Sequence, residues 1–175
     1  MGKIAWAVIA VALLAPAVRA QATPAADVAV QGSFFEVLTG YTISMGGVSG
    51  SVAVNANRWL GIAGDVGVYR GSPGESLTGE SYTYGPRVSL RRLERLVPYA
   101  EALFGGSHFS ANSGGITGGG NQFAYILGGG ADVALNRSGN IGLRLEGGYF
   151  GVRSGGATTP CARLSAGMVF HIGKR

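Results

Sequence analysis

The chain has 175 residues, of which 32 are glycine and only 13% are charged, and its formal net charge at neutral pH is +5. Soluble domains carry about 25% charged residues, so this chain has too few charges to cover the surface of an ordinary water-soluble domain. The positive charge is weak and scattered, so we expect no nucleic-acid partner, and the length suits one domain.

The first 20 residues have the layout of a secretory signal peptide: a basic start, an apolar run over 4–18, and small residues before the expected cleavage site after Ala20. A membrane anchor is the alternative, but the apolar run has only 15 residues and contains Pro16, whereas a spanning helix needs about 20. We therefore expect an exported protein that begins with a flexible tail over residues 21–30.

Eight segments of the remaining chain alternate apolar residues with small, polar or charged ones, which is the two-residue period of a β-strand. The clearest is IGLRLEGGYF, in which Ile141 and Leu143 face one way while Arg144 and Glu146 face the other. No segment after the signal peptide has a convincing helical period. In chain order the predicted strands are FFEVLTGYTISM (34–45), SVAVNAN (51–57), WLGIAGDVGVY (59–69), SYTYGPRVSLR (81–91), VPYAEALFGG (97–106), QFAYILGGGADVAL (122–135), IGLRLEGGYF (141–150) and RLSAGMVFHI (163–172).

The connections between these segments alternate in length along the chain. Three short ones, NANR, RRLER and NRSGN, take turns with longer ones at 70–80, 107–121 and 153–162, although the first connection, GG at 46–47, is short and breaks the trend. Short periplasmic turns and longer external loops are typical of outer-membrane barrels. The glycine-rich loops match no phosphate-binding motif, so no nucleotide site is predicted.

Alternation alone leaves open which face of the sheet is outside, because a soluble, lipocalin-like barrel also has eight strands. The sparse charge and the apolar side that every strand keeps favour lipid outside, since a charge on the lipid face at mid-membrane costs about 2–4 kcal/mol. The predicted fold is therefore all-β: an eight-stranded antiparallel up-and-down transmembrane β-barrel. Its lumen is predicted to hold all of the mid-strand charges, which are Glu36, Asp65, Arg87, Glu101, Asp132, Arg144, Glu146 and Arg163.

Charges buried in so narrow a lumen must pair, and a barrel of eight strands is just wide enough for side chains to fill. Antiparallel strands that are joined by a short turn pair residues whose positions have a constant sum. Across NRSGN this rule puts Asp132 opposite Arg144, and across RRLER it puts Arg87 opposite Glu101. We expect both to be ion pairs within a plug of polar side chains, and a narrow ion path is the alternative.

The C-terminal segment SAGMVFHI resembles the signal that the outer-membrane barrel assembly machinery reads. The residues at the matching spacings are Ser165, Gly167, Phe170 and Ile172. Over residues 31–173 the chain resembles the small eight-stranded outer-membrane barrels of the OmpA-like and Ail/OmpX-like kind. The segments that carry this resemblance are VNANRWLGIAGDVG, TYGPRVSLRR, VPYAEALFGG, FAYILGGGADVAL and LSAGMVFHIG.

The resemblance implies a monomeric protein of the bacterial outer membrane that needs no cofactor. Its partners would be membrane lipid and, during insertion, the barrel assembly machinery. The loops at 70–80, 107–121 and 153–162 are then the candidate contact surfaces for an external partner, which the sequence does not identify. We expect a structural or surface-interaction role, with a narrow small-solute channel as the alternative.

One motif points to catalysis instead. His108-x-Ser110 resembles the His-x-Ser pair of the barrel-type lipid A deacylases, and strand parity puts both side chains on the lipid-facing side near the outer rim. A serine nucleophile needs a histidine base and usually a third residue that orients the histidine. The matching region, GGGNQFAY, has no carboxylate, and Asp132 faces inward, so we expect no enzymatic activity.

The remaining reactive side chains are isolated in the sequence. His108 and His171 lie on different predicted strands with no cysteine or paired carboxylate at ligand spacing, so we expect no metal site. Cys161 is the only cysteine in the chain and has no internal disulfide partner, and we expect it to be an incidental loop thiol rather than a nucleophile.

Overall fold

The chain forms a closed barrel of eight strands in which each strand is antiparallel to its neighbours. The computed structural model describes residues 23–38, 44–71, 76–93, 95–113 and 116–173. The predicted signal peptide lies outside these residues. The strands are β1 (Ala26–Val37), β2 (Ser44–Asn55), β3 (Leu60–Gly71), β4 (Ser76–Ser89), β5 (Leu96–Ser113), β6 (Ile116–Ala134), β7 (Ile141–Ser154) and β8 (Ala157–Ile172). The predicted all-β, up-and-down fold is confirmed.

The barrel has two distinct ends. The start of β1, the end of β8 and the connections at 56–59, 90–95 and 135–140 share one end, which we call the terminal end; the opposite end is the far end. At the far end β7 and β8 are joined by Gly155 and Gly156, whose φ angles are +57° and +90°. Two successive residues with positive φ match the right-handed twist of a hairpin, and glycine adopts that conformation at little cost.

Exposure alternates along the strands as the sequence pattern predicts. In β3, for example, Ile62, Val66 and Val68 are exposed on the outside, whereas Ala63 and Asp65 are buried inside the barrel. The predicted inward and outward faces are confirmed for the segments that lie in β2 to β8. Among the described residues, no helix has the length and apolar character needed to cross a membrane.

The predicted first strand, 34–45, is wrong, because β1 (Ala26–Val37) takes its first four residues and β2 its last two. Phe35 points into the barrel and Glu36 points outward, which is the reverse of the prediction. The two adjacent phenylalanines allow the alternation to start on either one, and a shift of one residue exchanges the faces of a strand. The predicted tail over 21–30 is also too long, because its second half belongs to β1.

The predicted external loops are mostly strand. β5 and β6 pair without a break up to Ser113 and Ile116, and β4 pairs with β5 as far as Asn112, so most of the predicted loop 107–121 continues the barrel wall. The predicted loop 153–162 lies largely in β7 and β8, most of 70–80 lies in β3 and β4, and the predicted GG turn is inside β2. These glycine- and serine-rich stretches carry little apolar–polar alternation in the sequence, yet their backbone groups still pair.

Candidate functional site

The barrel interior holds most of the predicted site residues. Seven of the eight predicted lumen charges are buried inside the barrel, and Arg144 is 0% exposed. Glu36 is the exception, because it lies on the outward face of β1. The seven are Asp65, Arg87, Glu101, Asp132, Arg144, Glu146 and Arg163.

Both predicted cross-strand ion pairs are confirmed. Asp132 lies opposite Arg144 in the β6–β7 register, and Arg144 donates from Nε to Oδ1 and from Nη2 to Oδ2, each at 2.7 Å. Arg87 lies opposite Glu101 in the β4–β5 register and donates from Nε to Oε2 at 2.8 Å. Charge-assisted contacts of this kind, above all two-pronged ones, are the strong hydrogen bonds of proteins.

A third ion pair crosses the lumen and was not predicted. Arg163 on β8 donates from Nη1 and Nη2 to the two carboxylate oxygens of Asp65 on β3, both at 2.8 Å. The same guanidinium donates to Ser49 at 3.0 Å and to Ser165 at 3.1 Å, and it lies 3.7 Å from Glu146. The sum rule finds only neighbouring strands, and β3 and β8 are not neighbours, so sequence reasoning had no access to this contact.

Tyr99 connects the ion pairs and was missed as a site residue. The guanidinium carbons of Arg87 and Arg144 lie 4.3 Å and 4.9 Å from the centre of its ring. Its hydroxyl donates to Oε2 of Glu146 at 2.7 Å. The signal is in the sequence, because Tyr99 is two residues from Glu101 and therefore shares its inward face.

A fourth cluster closes the terminal end of the lumen. Asp27 accepts hydrogen bonds at one oxygen from Arg91 at 2.7 Å and from Asn55 at 3.1 Å. Its other oxygen lies 2.6 Å from Nδ1 of His171. This cluster ties β1, β2 and β8 to the residues that follow β4. The sequence pattern misses it because residue 27 falls in the predicted flexible tail rather than in a strand.

The far half of the lumen is apolar rather than charged. Phe35 packs edge-on against Tyr69 and Phe150, with ring centres 4.4 Å and 4.9 Å apart. The neighbouring buried side chains include Leu103 and Ile126. The lumen is therefore layered, with charged networks toward the terminal end and an aromatic layer above them, whereas the prediction was a polar plug throughout.

The outside of the barrel carries an uncharged band. The five outward residues of β3 from Leu60 to Val68 are uncharged and span nine positions of the strand, and the next outward residue is Arg70. A spanning strand of a membrane barrel needs about 9–11 residues. In the described part of the chain, seven of the eight exposed charged side chains lie near the ends of the strands or beyond them, and Glu80 lies five residues into β4, opposite Val68 at the far edge of the band. The other seven are Glu36, Arg58, Arg70, Arg92, Arg95, Arg137 and Arg153.

The His-x-Ser motif forms a hydrogen-bonded row on this outer surface. Nε2 of His108 lies 3.2 Å from Oγ of Ser110, and Nδ1 of His108 lies 3.0 Å from Oδ1 of Asn121. Asn121 is directly opposite His108 in the β5–β6 register. The group expected to orient the histidine was a carboxylate, which GGGNQFAY lacks. In the structure the amide of Asn121, which belongs to that segment, occupies the position of this carboxylate.

The four residues of the predicted assembly signal lie on both faces of β8. Ser165 is buried and bonds to Ser33 at 2.8 Å, whereas Phe170 and Ile172 are exposed on the outside, and Gly167 lies on the inward face of β8. Their role as an assembly signal stays a prediction. Within the described ranges, no group of three His, Cys, Asp or Glu side chains is arranged to hold a metal ion.

No protein-family model matches the sequence, and no curated protein matches it. Three solved barrels are similar in structure. Neisserial surface protein A superposes with a TM-score of 0.67 at 15% identity, covering 84% of this chain and 96% of that chain. Ail, the attachment invasion locus protein of Yersinia pestis, gives 0.53 at 17% identity and covers 86% of this chain and 100% of that chain. The N-terminal β-barrel domain of Pseudomonas aeruginosa OprF gives 0.54 at 16% identity, with the same two coverages of 86% and 100%.

At identities this low the likeness establishes the fold alone. It agrees with the strand count, the pairing order and the closure that the structure shows directly. The chain therefore has the fold of the small, eight-stranded, Ail-like outer-membrane barrels, as the resemblance in its sequence implied.

Proposed function

We propose that this protein resides in the bacterial outer membrane, that its own side chains close its lumen, and that its role is structural or surface contact rather than catalysis. The observation that carries the proposal is the cross-lumen pair of Arg163 and Asp65, whose two hydrogen bonds of 2.8 Å join strands that are three positions apart around the barrel. A side chain that bridges the walls leaves no room there for a wide aqueous path.

The uncharged outer band supports a lipid environment. Large apolar side chains such as Val30, Ile62 and Leu164 are more than 60% exposed, which is costly in water over so large a contiguous surface. The charged residues that bracket the band match the two polar interfaces of a bilayer. We infer that membrane hydrocarbon covers the band.

The layered lumen argues against the channel alternative. The terminal-end cluster around Asp27, the stack of Arg87, Tyr99 and Arg144, and the aromatic layer around Phe35 follow one another along the barrel axis. An ion would have to displace paired charges and then cross an apolar layer, and desolvation of an ion in such surroundings is very costly. We therefore consider a channel function less well supported than a closed barrel.

The far end supplies a surface for contact. Residues 116–122 of β6 pair with β5 on one side, whereas the β6–β7 pairing begins only at Phe123, so no described strand covers the other side of this segment. An uncovered strand edge is a recognised place for an extended peptide to add. The similar barrel Ail is named for attachment and invasion, which agrees with a contact role for this end.

Membrane fractionation tests the proposal. The full chain, expressed in a Gram-negative host, should appear in the outer-membrane fraction and need detergent for extraction. Its mobility on an electrophoresis gel should change when the sample is boiled, because a folded barrel resists the detergent in the gel until heated. Protein in the soluble periplasmic fraction, with one mobility in both samples, would overturn the proposal.

A lipid hydrolase is the second candidate, and the row of Ser110, His108 and Asn121 is the observation that favours it. With Nδ1 donating to the Asn121 amide oxygen, Nε2 of His108 is free to accept the proton of Ser110 during attack on an ester carbonyl. Two features make the hydrolase less well supported than the structural role. The orienting group is an amide rather than a carboxylate, and the strand around Ser110 is paired on both sides, so its backbone N–H groups are engaged rather than available for an oxyanion.

A serine-directed probe separates the two candidates. Purified protein in lipid nanodiscs is treated with a fluorophosphonate and, separately, with a p-nitrophenyl ester of lauric acid. We expect neither labelling nor turnover above the background of the Ser110→Ala variant. Turnover that is lost in Ser110→Ala and kept in Thr78→Ala, the outward neighbour opposite Ser110, would establish the hydrolase instead.

A further inference from the structure

The far end of the lumen contains a cavity of about 200 Å³ that the charged plug does not explain. It lies above the aromatic layer, at the ends of the strands remote from both termini. Its wall is almost wholly apolar, and the main lining side chains are Phe35, Met45, Phe109, Phe150 and Val152. Two polar side chains, Gln122 and Thr159, also face it.

A cavity of this kind is unusual in a part of the barrel that only has to be plugged. Protein interiors are close-packed, and an unfilled apolar space destabilises the fold in proportion to its volume. The charged layers beneath the cavity are filled by paired side chains, so side chains of this barrel can fill its lumen. The apolar cavity above those layers is not filled in the same way. Apolar cavities stay dry and take up apolar molecules, and one of about 150 Å³ is large enough for benzene.

We propose that this cavity is a binding site for one hydrocarbon chain, that of a fatty acid or another single-chain amphiphile. The volume admits a single hydrocarbon group rather than a two-chain lipid. The chain would lie on Phe35 and Phe150, while its polar head would reach the Gln122 amide and the Thr159 hydroxyl. This site goes beyond the structural role, since the charged layers that close the lumen to ions do not fill this apolar cavity.

The chain contains its own reporters for the cavity. Cys161 is the only cysteine, is 6% exposed and lines the cavity wall. Met45 lines the cavity as well, whereas Met168 lies on the outward face and is 38% exposed. The remaining methionine, Met1, belongs to the predicted signal peptide. A guest in the cavity should therefore affect Cys161 and Met45 and leave Met168 unchanged.

The test uses the full mature chain in lipid nanodiscs with ¹³C-methyl methionine. Decanoic acid should shift the Met45 methyl resonance in a saturable way and leave the Met168 resonance in place. It should also slow the alkylation of Cys161 by N-ethylmaleimide several-fold, whereas butyric acid, which has the same head and a short chain, should do neither. A Met45 resonance that does not move, or that moves only together with Met168, overturns the proposal, because the acid then acts through the bilayer.

A space-filling variant supplies the matched control. Val152→Phe should occupy the cavity and abolish the effect of decanoic acid on Met45. Val68→Phe adds the same side chain on the outward face of β3, where Val68 is exposed, and should keep the full effect. An equal response in both variants overturns the site even if the wild-type response is seen, and the wild-type Met45 measurement decides the matter if Val152→Phe does not fold.

Discussion

Arg163 on β8 and Asp65 on β3 hold each other by two hydrogen bonds of 2.8 Å across the lumen, although their strands are three positions apart around the barrel. Both side chains are almost fully buried. A contact between remote walls stabilises the closed barrel in a way that cross-strand pairs do not, because neighbouring strands are already joined by backbone hydrogen bonds.

Removing one partner of this pair should be strongly destabilising. Arg163→Ala leaves Asp65 buried without its guanidinium, and an unpaired buried charge costs about 3–5 kcal/mol. We expect a loss of that size in the free energy of unfolding, measured by urea titration in lipid with the fluorescence of Trp59, the only tryptophan outside the predicted signal peptide.

Two companion variants control this experiment. Arg153→Ala removes an exposed outward arginine and should leave the unfolding free energy within about 0.5 kcal/mol of wild type. The double variant Asp65→Asn with Arg163→Gln removes both charges, and it should recover part of the loss. Equal stability of Arg163→Ala and Arg153→Ala would show that the cross-lumen pair does not form.

Tyr99→Phe tests the link between the ion pairs. The ring keeps its contacts with Arg87 and Arg144, but the donor to Glu146 is lost, and a buried acceptor left unpaired costs about 1–3 kcal/mol. The same urea titration measures the change. Tyr84→Phe is the matched control, since Tyr84 is 70% exposed on the outside and should tolerate the substitution. Similar small effects of both variants would contradict the buried role of the Tyr99 hydroxyl.

Arginine substitutions test which face meets lipid. Val66→Arg puts a charge in the middle of the outward band, where it should cost about 2–4 kcal/mol, whereas Leu90→Arg puts it at the terminal edge of the band, where about 0–1 kcal/mol is expected. The fraction of folded protein after refolding into liposomes measures the difference. Equal tolerance at the two positions would mean that the band faces water.

Gly67→Ala tests a packing requirement of the aromatic layer. A Cβ at Gly67 would occupy the position of the Tyr69 hydroxyl, so the tyrosine must move. Overpacking of this kind costs about 1–3 kcal/mol. Gly50→Ala is the control, because its Cβ would meet nothing nearer than a backbone oxygen at 3.8 Å. Thermal unfolding of the two variants should therefore differ, and a Gly67→Ala barrel as stable as Gly50→Ala would show that Tyr69 is not fixed there.

Much of the fold and the two nearest-neighbour ion pairs could be predicted from the sequence. The two-residue period separates Arg144 from Leu143 without ambiguity, and short turns fix which residues lie opposite each other. These two rules together are enough to match Asp132 to Arg144. The same reasoning fails at Phe35 and Glu36, where adjacent phenylalanines make two registers equally good.

The rest of the site depends on geometry that pairing rules do not contain. The contact of Arg163 with Asp65 requires the curvature of the closed barrel, which brings remote strands face to face. The apolar layer around Phe150 was missed because its inward residues share a face with charges, which suggested a uniformly polar lumen. The extension of β5 and β6 was missed because strands beyond the apolar band have no alternation to detect.

Ion conductance in a planar lipid bilayer tests the closed lumen most directly. With the charged layers paired and the aromatic layer above them, we predict that the purified wild-type protein, inserted at known copy number, produces no steady current above the bare membrane. A large, steady current carried by each inserted molecule would contradict the closed barrel and establish the channel in its place.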